Sequence, residues 1–316
     1  MKYPKVSIII PTYNRLSLIK ITLDSILSQS FTNFEIIIID DGSTDGTQAA
    51  IMAHADRRLR YVYQENAGEA SATNHGWRLA NGQYIAVVSS DDPVLPGWLD
   101  TMVNVMDADP TLLVGYPDWR IIDINGNTLQ TLVTNEYTFA RMVSWFCTLP
   151  GPGALIRKSA LAGFGDLRDT RYRYVPDLES WLRLGLVGPF ARVPHELASW
   201  RSHPTSISVA DRSRTRAQEM VRLARTFMSR PDIPADIRHL KPFMLSRAYW
   251  LASWTISETH PLLSDYYLLQ SYRLAKEDPP ELPSGLRRWP RPQRSQILEH
   301  LRNALTPSGI GEKPKK

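Results

Sequence analysis

The sequence predicts an α/β protein: a mostly parallel sheet with helices on both faces, followed by a C-terminal helical extension. Three observations predict it. Short, continuous apolar runs rich in β-branched residues alternate with segments of helical periodicity, as strands buried on both faces do. Three of those runs end in polar tips of the kind that gather at one edge of a parallel sheet. From Arg212 the composition turns helical, basic and aromatic.

The elements follow in order. Val6-Ser-Ile-Ile-Ile, stopped by Pro11, reads as the first strand. Ile19, Leu23, Ile26 and Leu27 recur at helical spacing. Phe34 to Ile39 is a second strand that runs into Asp40-Asp41-Gly42-Ser43, and a helix opens near Asp45 to Thr47. Tyr61-Val-Tyr is a third strand, 69–80 a helix, Tyr84 to Val88 a fourth strand and 96–107 a further helix. Beyond Leu112, the runs Leu113–Tyr116 and Trp119–Asp123 with the Asn125-Gly126 turn signal predict sheet extension and a hairpin. Glu179 to Leu186 reads as a short helix, and Phe243–Glu258 and Leu262–Lys276 as two longer ones. The expected division is a catalytic part over 1–210 (nucleotide half about 1–112, acceptor half about 113–210), a helical extension over 211–277, and a loosely ordered Pro/Arg-rich tail over 278–316.

Composition narrows the function classes. The 316 residues are 43% hydrophobic and 22% charged, enough for a sizeable core. The lone cysteine, Cys147, cannot form an internal disulfide, which points to a cytoplasmic protein. The N-terminal apolar run is too short for a signal core or a span, and no other stretch reaches the ~20 apolar residues of a spanning helix. Residues 1–150 hold 10 basic and 16 acidic side chains, a net of −6, whereas 151–316 hold 27 and 16, a net of +11. The basic half carries no recognisable nucleic-acid module, so no nucleic-acid partner is expected.

The chemistry is expected at the tips Pro11-Thr-Tyr-Asn-Arg, Asp40-Asp-Gly-Ser-Thr-Asp-Gly-Thr and Ser89-Ser-Asp-Asp-Pro. Taken singly, each is ordinary turn or cap chemistry. Together they crowd carboxylates at one mouth, where a cation would relieve their repulsion. Hard oxygen donors without a cysteine cluster suit Mn²⁺ or Mg²⁺.

These tips, with Asn66-Ala-Gly, Asn74-His-Gly and Asn81-Gly-Gln-Tyr-Ile, resemble glycosyltransferase family 2 over roughly residues 4–205. The resemblance implies a GT-A-like fold and an inverting transfer of sugar from a nucleotide-sugar donor, UDP-linked by preference, to a glycan or lipid-linked glycan. It places Pro11, Tyr13, Arg15, Asp41 and Asp91 at the nucleotide, with Tyr13 on the base, Asp41 on its imide N–H and Asp91 on the ribose or behind the metal. It makes Asp92 the main metal ligand and brings His203, from Trp200-Arg-Ser-His, toward the metal or diphosphate. Gly151-Pro-Gly-Ala-Leu-Ile-Arg-Lys and Pro176-Asp177-Leu-Glu179-Ser-Trp181-Leu-Arg183 match its acceptor side, with Asp177 in the general-base position. An N-cap on the following helix is the competing role for Asp177.

The chain departs from the family's pattern at Ser89, Thr73 and Pro176, where an aspartate, an arginine and a glutamate are common. A non-catalytic nucleotide-sugar or glycan-binding protein of the same fold is therefore an alternative. A nucleotidyltransferase is another, although the first tip lacks the glycines it would want. Residues 212–230 form a basic amphipathic pattern, with Met220, Leu223, Ala224, Phe227 and Met228 on one face and Arg214, Arg222 and Arg225 on the other. This face, with Trp250 and Trp254, is a candidate peripheral contact with the inner face of an anionic membrane; packing of the apolar face within the protein is its competitor.

Overall fold

The computed structural model describes residues 3–203 and 211–275. They divide into two compact units, one of residues 1–142 with 147–210, the other of 143–146 with the described residues from Asp211 on. The tail from Asp278 and the end of the segment that follows His203 lie outside the described residues.

The first unit is built on an eight-stranded sheet. Its strands are β1 (Val6–Thr12), β2 (Phe34–Asp40), β3 (Leu59–Tyr63), β4 (Tyr84–Val87), β5 (Val114–Ile122), β6 (Thr128–Leu132), β7 (Leu155–Arg157) and β8 (Phe190–Arg201). Strands β3, β2, β1 and β4 lie side by side and parallel, with Thr12 opposite Asp40 and Ile9 opposite Val87. Thus the carboxyl ends of β1, β2 and β4 share one edge. Antiparallel β7 joins β4 to β5, and β8 runs parallel along β5. Only β6 and β7 oppose the common direction.

The isoleucines explain the first half. Ile8, Ile9, Ile10 and Ile36 to Ile39 are all fully buried, because helices cover both faces of these strands. The helices are α1 (Leu16–Leu27), α2 (Thr47–Met52), α3 (Glu69–Leu79) and α4 (Trp98–Ala108). Gly76 lets α3 come close to the sheet, since a Cβ there would lie 2.4 Å from Cγ2 of Ile9. The short α5 (Phe139–Trp145) and α6 (Pro176–Gly185) complete the helices before β8.

The structure differs from the sequence expectation in the second half of this unit. Residues 114–122 form one strand that passes through Pro117, with irregular register against β8 on both sides of Asp118. The hairpin to β6 is as expected, with Gly126 at φ +91°. Strand β8 was not predicted. Asp118 of β5 and Arg192 of β8 form a two-point ion pair (Nε–Oδ1 2.9 Å, Nη2–Oδ2 2.5 Å), and Asp118 also accepts from the backbone and hydroxyl of Thr134. This fastens the segment after β6 to the sheet.

The second unit contains α7 (Arg214–Phe227), the short α8 (Ala235–Arg238), α9 (Lys241–Ile256) and α10 (Pro261–Leu274). Ala217, Val221, Tyr249, Ala252, Ile256 and Tyr267 form its core. Serine pairs tie α9 to α10: Ser246 donates to the Ser271 carbonyl at 2.8 Å, and the Ser253 and Ser264 hydroxyls lie 2.9 Å apart. Of the two roles weighed for the apolar face, packing is the one seen: Met220, Leu223, Ala224, Phe227 and Met228 are all buried. Arg214, Arg222 and Arg225 stay exposed. Trp254 is exposed beneath the Arg212 guanidinium, and Trp250 is half-buried beneath that of Arg247. Among the described residues no helix is long and apolar enough to cross a membrane.

Candidate active site

The tips of β1 and β2 are locked together. Asn14 adopts φ +50°, a conformation asparagine tolerates because its short side chain bonds locally. Its backbone N–H donates to the Ser43 hydroxyl (2.9 Å), and its Oδ1 accepts from the Thr44 N–H (2.8 Å). The next two N–H groups, of Arg15 and Leu16, donate to Thr47 Oγ1 (3.0 Å) and Asp45 Oδ2 (3.1 Å). Pro11 stands in β1 just before this turn, and the Tyr13 ring is 47% exposed at the edge.

Asp40 and Asp41 both turn inward. Asp40 accepts from the Tyr61 hydroxyl and the Ser43 N–H, each at 2.8 Å. Asp41 Oδ1 accepts from Gln64 Nε2 (2.7 Å) and the Ala67 N–H (2.9 Å), and Oδ2 accepts from the Gly68 N–H (2.8 Å). Asp41 therefore holds the loop that opens α3. A carboxylate oxygen can accept two hydrogen bonds, so Oδ2 retains one acceptor position. Gln64 passes the order on, because with Nε2 on Asp41 its Oε1 must accept from His75 Nδ1 at 2.9 Å.

At the β4 tip, Asp91 and Asp92 play different parts. Asp92 is 7% exposed, and its Oδ1 accepts from the Arg201 N–H at 2.7 Å. Burial, and after it the Asp91 charge, pushes the Asp92 carboxyl far above the usual carboxylate range. The Arg201 N–H and the Ser89 hydroxyl bond pull the other way without overcoming this. Ser89 thus puts a donor where a third carboxylate would add repulsion. Asp91 Oδ2 faces His203 Nε2 at 3.1 Å and Arg15 Nε at 3.5 Å, which brings the β1 tip, the β4 tip and the end of β8 to one point. Arg201 is itself buried: its Nε donates to the Asp91 carbonyl (2.9 Å), and Nη1 to those of Asp123 (2.9 Å) and Ile124 (2.8 Å).

These residues fit a divalent cation of the Mn²⁺ or Mg²⁺ kind. A carboxylate oxygen and an imidazole nitrogen converge at Asp91 and His203, with Asp92 behind. Among the described residues no group of three or more His, Cys, Asp or Glu side chains forms a complete cage. Such ions are commonly held by few protein ligands, with water and substrate phosphates completing the shell. The sequence reading made Asp92 the main ligand; in the structure it is Asp91 that lies opposite His203.

Asp177 lies in the first turn of α6. Pro176 occupies the first helical position, where its missing N–H costs nothing. The N-cap is Val175 with no side-chain cap, so Asp177 does not play the competing capping role. Its side chain is exposed and makes no hydrogen bond among the described residues. Glu179 is buried and forks onto Arg183 at 2.6 and 3.0 Å. The helix is held by Ser180, whose hydroxyl donates to the Leu167 carbonyl (2.6 Å), and by Arg183 Nη2 on the same carbonyl (2.8 Å). The next residue, Arg168, is gripped by Asn74 of α3. A continuous series of hydrogen bonds therefore runs from Asp41 through α3 to the helix that carries Asp177.

Sequence reasoning missed Arg201, Gln64, Ser180 and the pairing of Asn74 with Arg168. Arg201 and Asn74 stand in quoted motifs, but nothing local shows that their partners lie 109 and 94 residues away.

The fold defines an α/β protein of the GT-A type. Residues 7–164 match the model of glycosyl transferase family 2, and the chain belongs to that family. An uncharacterised glycosyltransferase of Rickettsia typhi is 30% identical over a 192-residue alignment that covers 57% of this chain and 58% of that protein. The chain therefore spans little more than half of that relative. Escherichia coli chondroitin synthase is 36% identical over 140 residues, 44% of this chain and 20% of that one. Among solved structures, Staphylococcus aureus TarS 1–349 with UDP-GlcNAc aligns with TM-score 0.68 at 18% identity, covering 85% of this chain and 81% of that one. The mannosyltransferase PcManGT of Pyrobaculum calidifontis, with GDP-Man and Mn²⁺, aligns with TM-score 0.60 at 21% identity, covering 96% and 81%. At those identities the two structures speak for the fold.

Proposed function

We propose that this protein transfers a sugar from a nucleotide-sugar donor, UDP-linked by preference, to a hydroxyl of a glycan or lipid-linked glycan, with inversion. The observation that carries the reading is the meeting of Asp91, His203 and Arg15 at the β4 tip, backed by the buried Asp92. Tyr13 offers an exposed ring for the base, and Asp41 Oδ2 keeps one acceptor position for an imide N–H. Pro11 and Arg15 flank that floor.

Asp91 and His203 would hold Mn²⁺ or Mg²⁺, with Asp92 supporting them. When bound, the ion offsets the charge that grows on the departing diphosphate. Asp177 accepts the proton of the acceptor hydroxyl. That oxygen attacks the anomeric carbon as the carbon–oxygen bond to the diphosphate breaks, and the nucleoside diphosphate leaves with the electron pair. One displacement at one carbon inverts its configuration.

Two of the three departures from the family pattern have places in this scheme: Ser89 donates to Asp92, and Pro176 opens α6. With the apolar face of α7 buried, contact between residues 212–230 and an anionic membrane would rest on the exposed arginines alone. Incubation with Mn²⁺ and a panel of UDP-, dTDP- and GDP-sugars should release the nucleoside diphosphate from one of them. Release from none, with acceptor glycans present, would sink the proposal.

A further inference from the structure

The segment between the 3₁₀ turn at Lys158–Leu161 and α6 is rich in arginine, and its carboxylates are already taken. Asp166 pairs with Arg78 and Asp169 with Arg171, each at 2.6 Å, and within α6 Glu179 is taken by Arg183 at the same distance. Arg168 has no such partner. Its side chain is only 9% exposed, and its Nε is buried without an acceptor. Among the described residues its guanidinium makes no hydrogen bond, ion pair or ring contact.

The other two buried arginines among the described residues look different. Arg157 Nε donates to the Leu112 carbonyl at 2.7 Å, and Arg201 Nε to the Asp91 carbonyl at 2.9 Å. An arginine keeps its proton at any physiological pH, so burial cannot neutralise Arg168 as it can a lysine. A buried cation without a counter-charge is costly unless something outside the fold completes it. The Arg168 backbone is also fixed on both sides: Asn74 takes its N–H and gives to its carbonyl, each at 2.8 Å, and neighbouring Leu167 is bound by Ser180 and Arg183 of α6. The backbone that carries the cation is thus held between α3, whose entry loop Asp41 orders, and α6, which carries Asp177.

We propose that Arg168 binds a phosphate group of a substrate. The planar guanidinium offers paired N–H donors that match phosphate oxygens. The phosphate is either the diphosphate of the donor or a phosphate borne by the acceptor. Only that choice of source rests on the function proposed above; the unpartnered cation does not.

The test uses the full-length protein and its Arg168→Gln and Arg168→Lys variants, with melting temperatures checked first. Calorimetry with UDP, uridine and inorganic pyrophosphate in Mg²⁺ reads the donor source; thermal stabilisation by inorganic phosphate reads the other. Arg168→Gln should bind UDP and pyrophosphate at least about tenfold more weakly and uridine as before, as loss of a charge-assisted bond predicts. Arg168→Lys, which keeps the charge but not the fork, should fall between, and decides the question if the glutamine variant does not fold. Unchanged UDP affinity with lost stabilisation by inorganic phosphate would assign the acceptor phosphate instead. If both anions act on the variants as on the native protein, Arg168 is a packing residue and the proposal is wrong. A native protein that binds no UDP but is stabilised by phosphate through Arg168 would overturn the proposed donor while upholding this site.

Discussion

Asn74 and the peptide of Arg168 exchange two hydrogen bonds across 94 residues of sequence: Asn74 Oδ1 accepts from the Arg168 N–H, and Asn74 Nδ2 donates to the Arg168 carbonyl, each at 2.8 Å. Both groups are buried, so the side-chain amide stands in for the strand partner that this turn lacks. Asn74→Ala leaves an N–H and a carbonyl without partners, at about 1–3 kcal/mol for an unsatisfied group. Urea unfolding should show the lower midpoint. Asn74→Asp, which keeps the acceptor and loses the donor, should also lose stability. A wild-type midpoint in both variants would show that the turn holds itself.

Asp91 and His203 are predicted to act together on the cation. His203→Ala and Asp91→Asn should each weaken Mn²⁺ binding by about tenfold or more, since even residues that only support metal ligands change affinity by ~10–100-fold. Titration of free Mn²⁺ by electron paramagnetic resonance, with UDP present, reads this directly. Native-like affinity in both variants would move the site elsewhere.

Asp177→Asn keeps the shape of the first turn of α6 but cannot take a proton. Turnover should fall by ~10²–10⁴-fold while UDP affinity stays put. Because the carboxylate is exposed and uncapped, the melting temperature should hold. Normal turnover would return Asp177 to the role of a favourable charge at a helix N-terminus.

The Asp118–Arg192 pair gives a pH prediction. Burial by itself pushes the Asp118 carboxyl up, but the Arg192 fork and the two Thr134 donors outweigh it and hold the carboxyl below its ordinary value. A carboxyl so depressed contributes stability that is present above the unfolded value, near 3.9, and is lost as pH falls through the folded value. Native stability should therefore fall more steeply below about pH 4 than that of Asp118→Asn. At neutral pH, Asp118→Ala should cost on the order of 1–3 kcal/mol: the Thr134 N–H and hydroxyl lose their acceptor, while the half-buried Arg192 keeps Glu136 at 3.2 Å. Urea midpoints at several pH values decide both points.

Much of the parallel half of the fold was legible because strands buried on both faces need no alternation; an unbroken isoleucine run announces them. Strand β8 escaped because Phe190–Arg201 mixes buried and exposed residues without a clean period of two and contains Pro194. Its register against β5 shifts twice, so the alternation slips along its length. Pro117 hid the continuity of β5 in the same way. At the site, the acidic and polar tips were visible as motifs, since a turn writes its chemistry in consecutive residues. The partners that place them were not, because the Arg201 N–H has no sequence signature and Asn74 differs from any helical asparagine only in what lies across from it.

The interlocked turns after β1 and β2 have a thermodynamic consequence. Four hydrogen bonds between Asn14–Leu16 and Ser43–Thr47 settle the backbone under the exposed Tyr13 ring in advance. A ligand arriving there meets a floor that has already surrendered its freedom and needs no ordering on contact. Affinity differences among nucleotides at this floor should then report the chemistry of the base rather than the ordering of the turns beneath it.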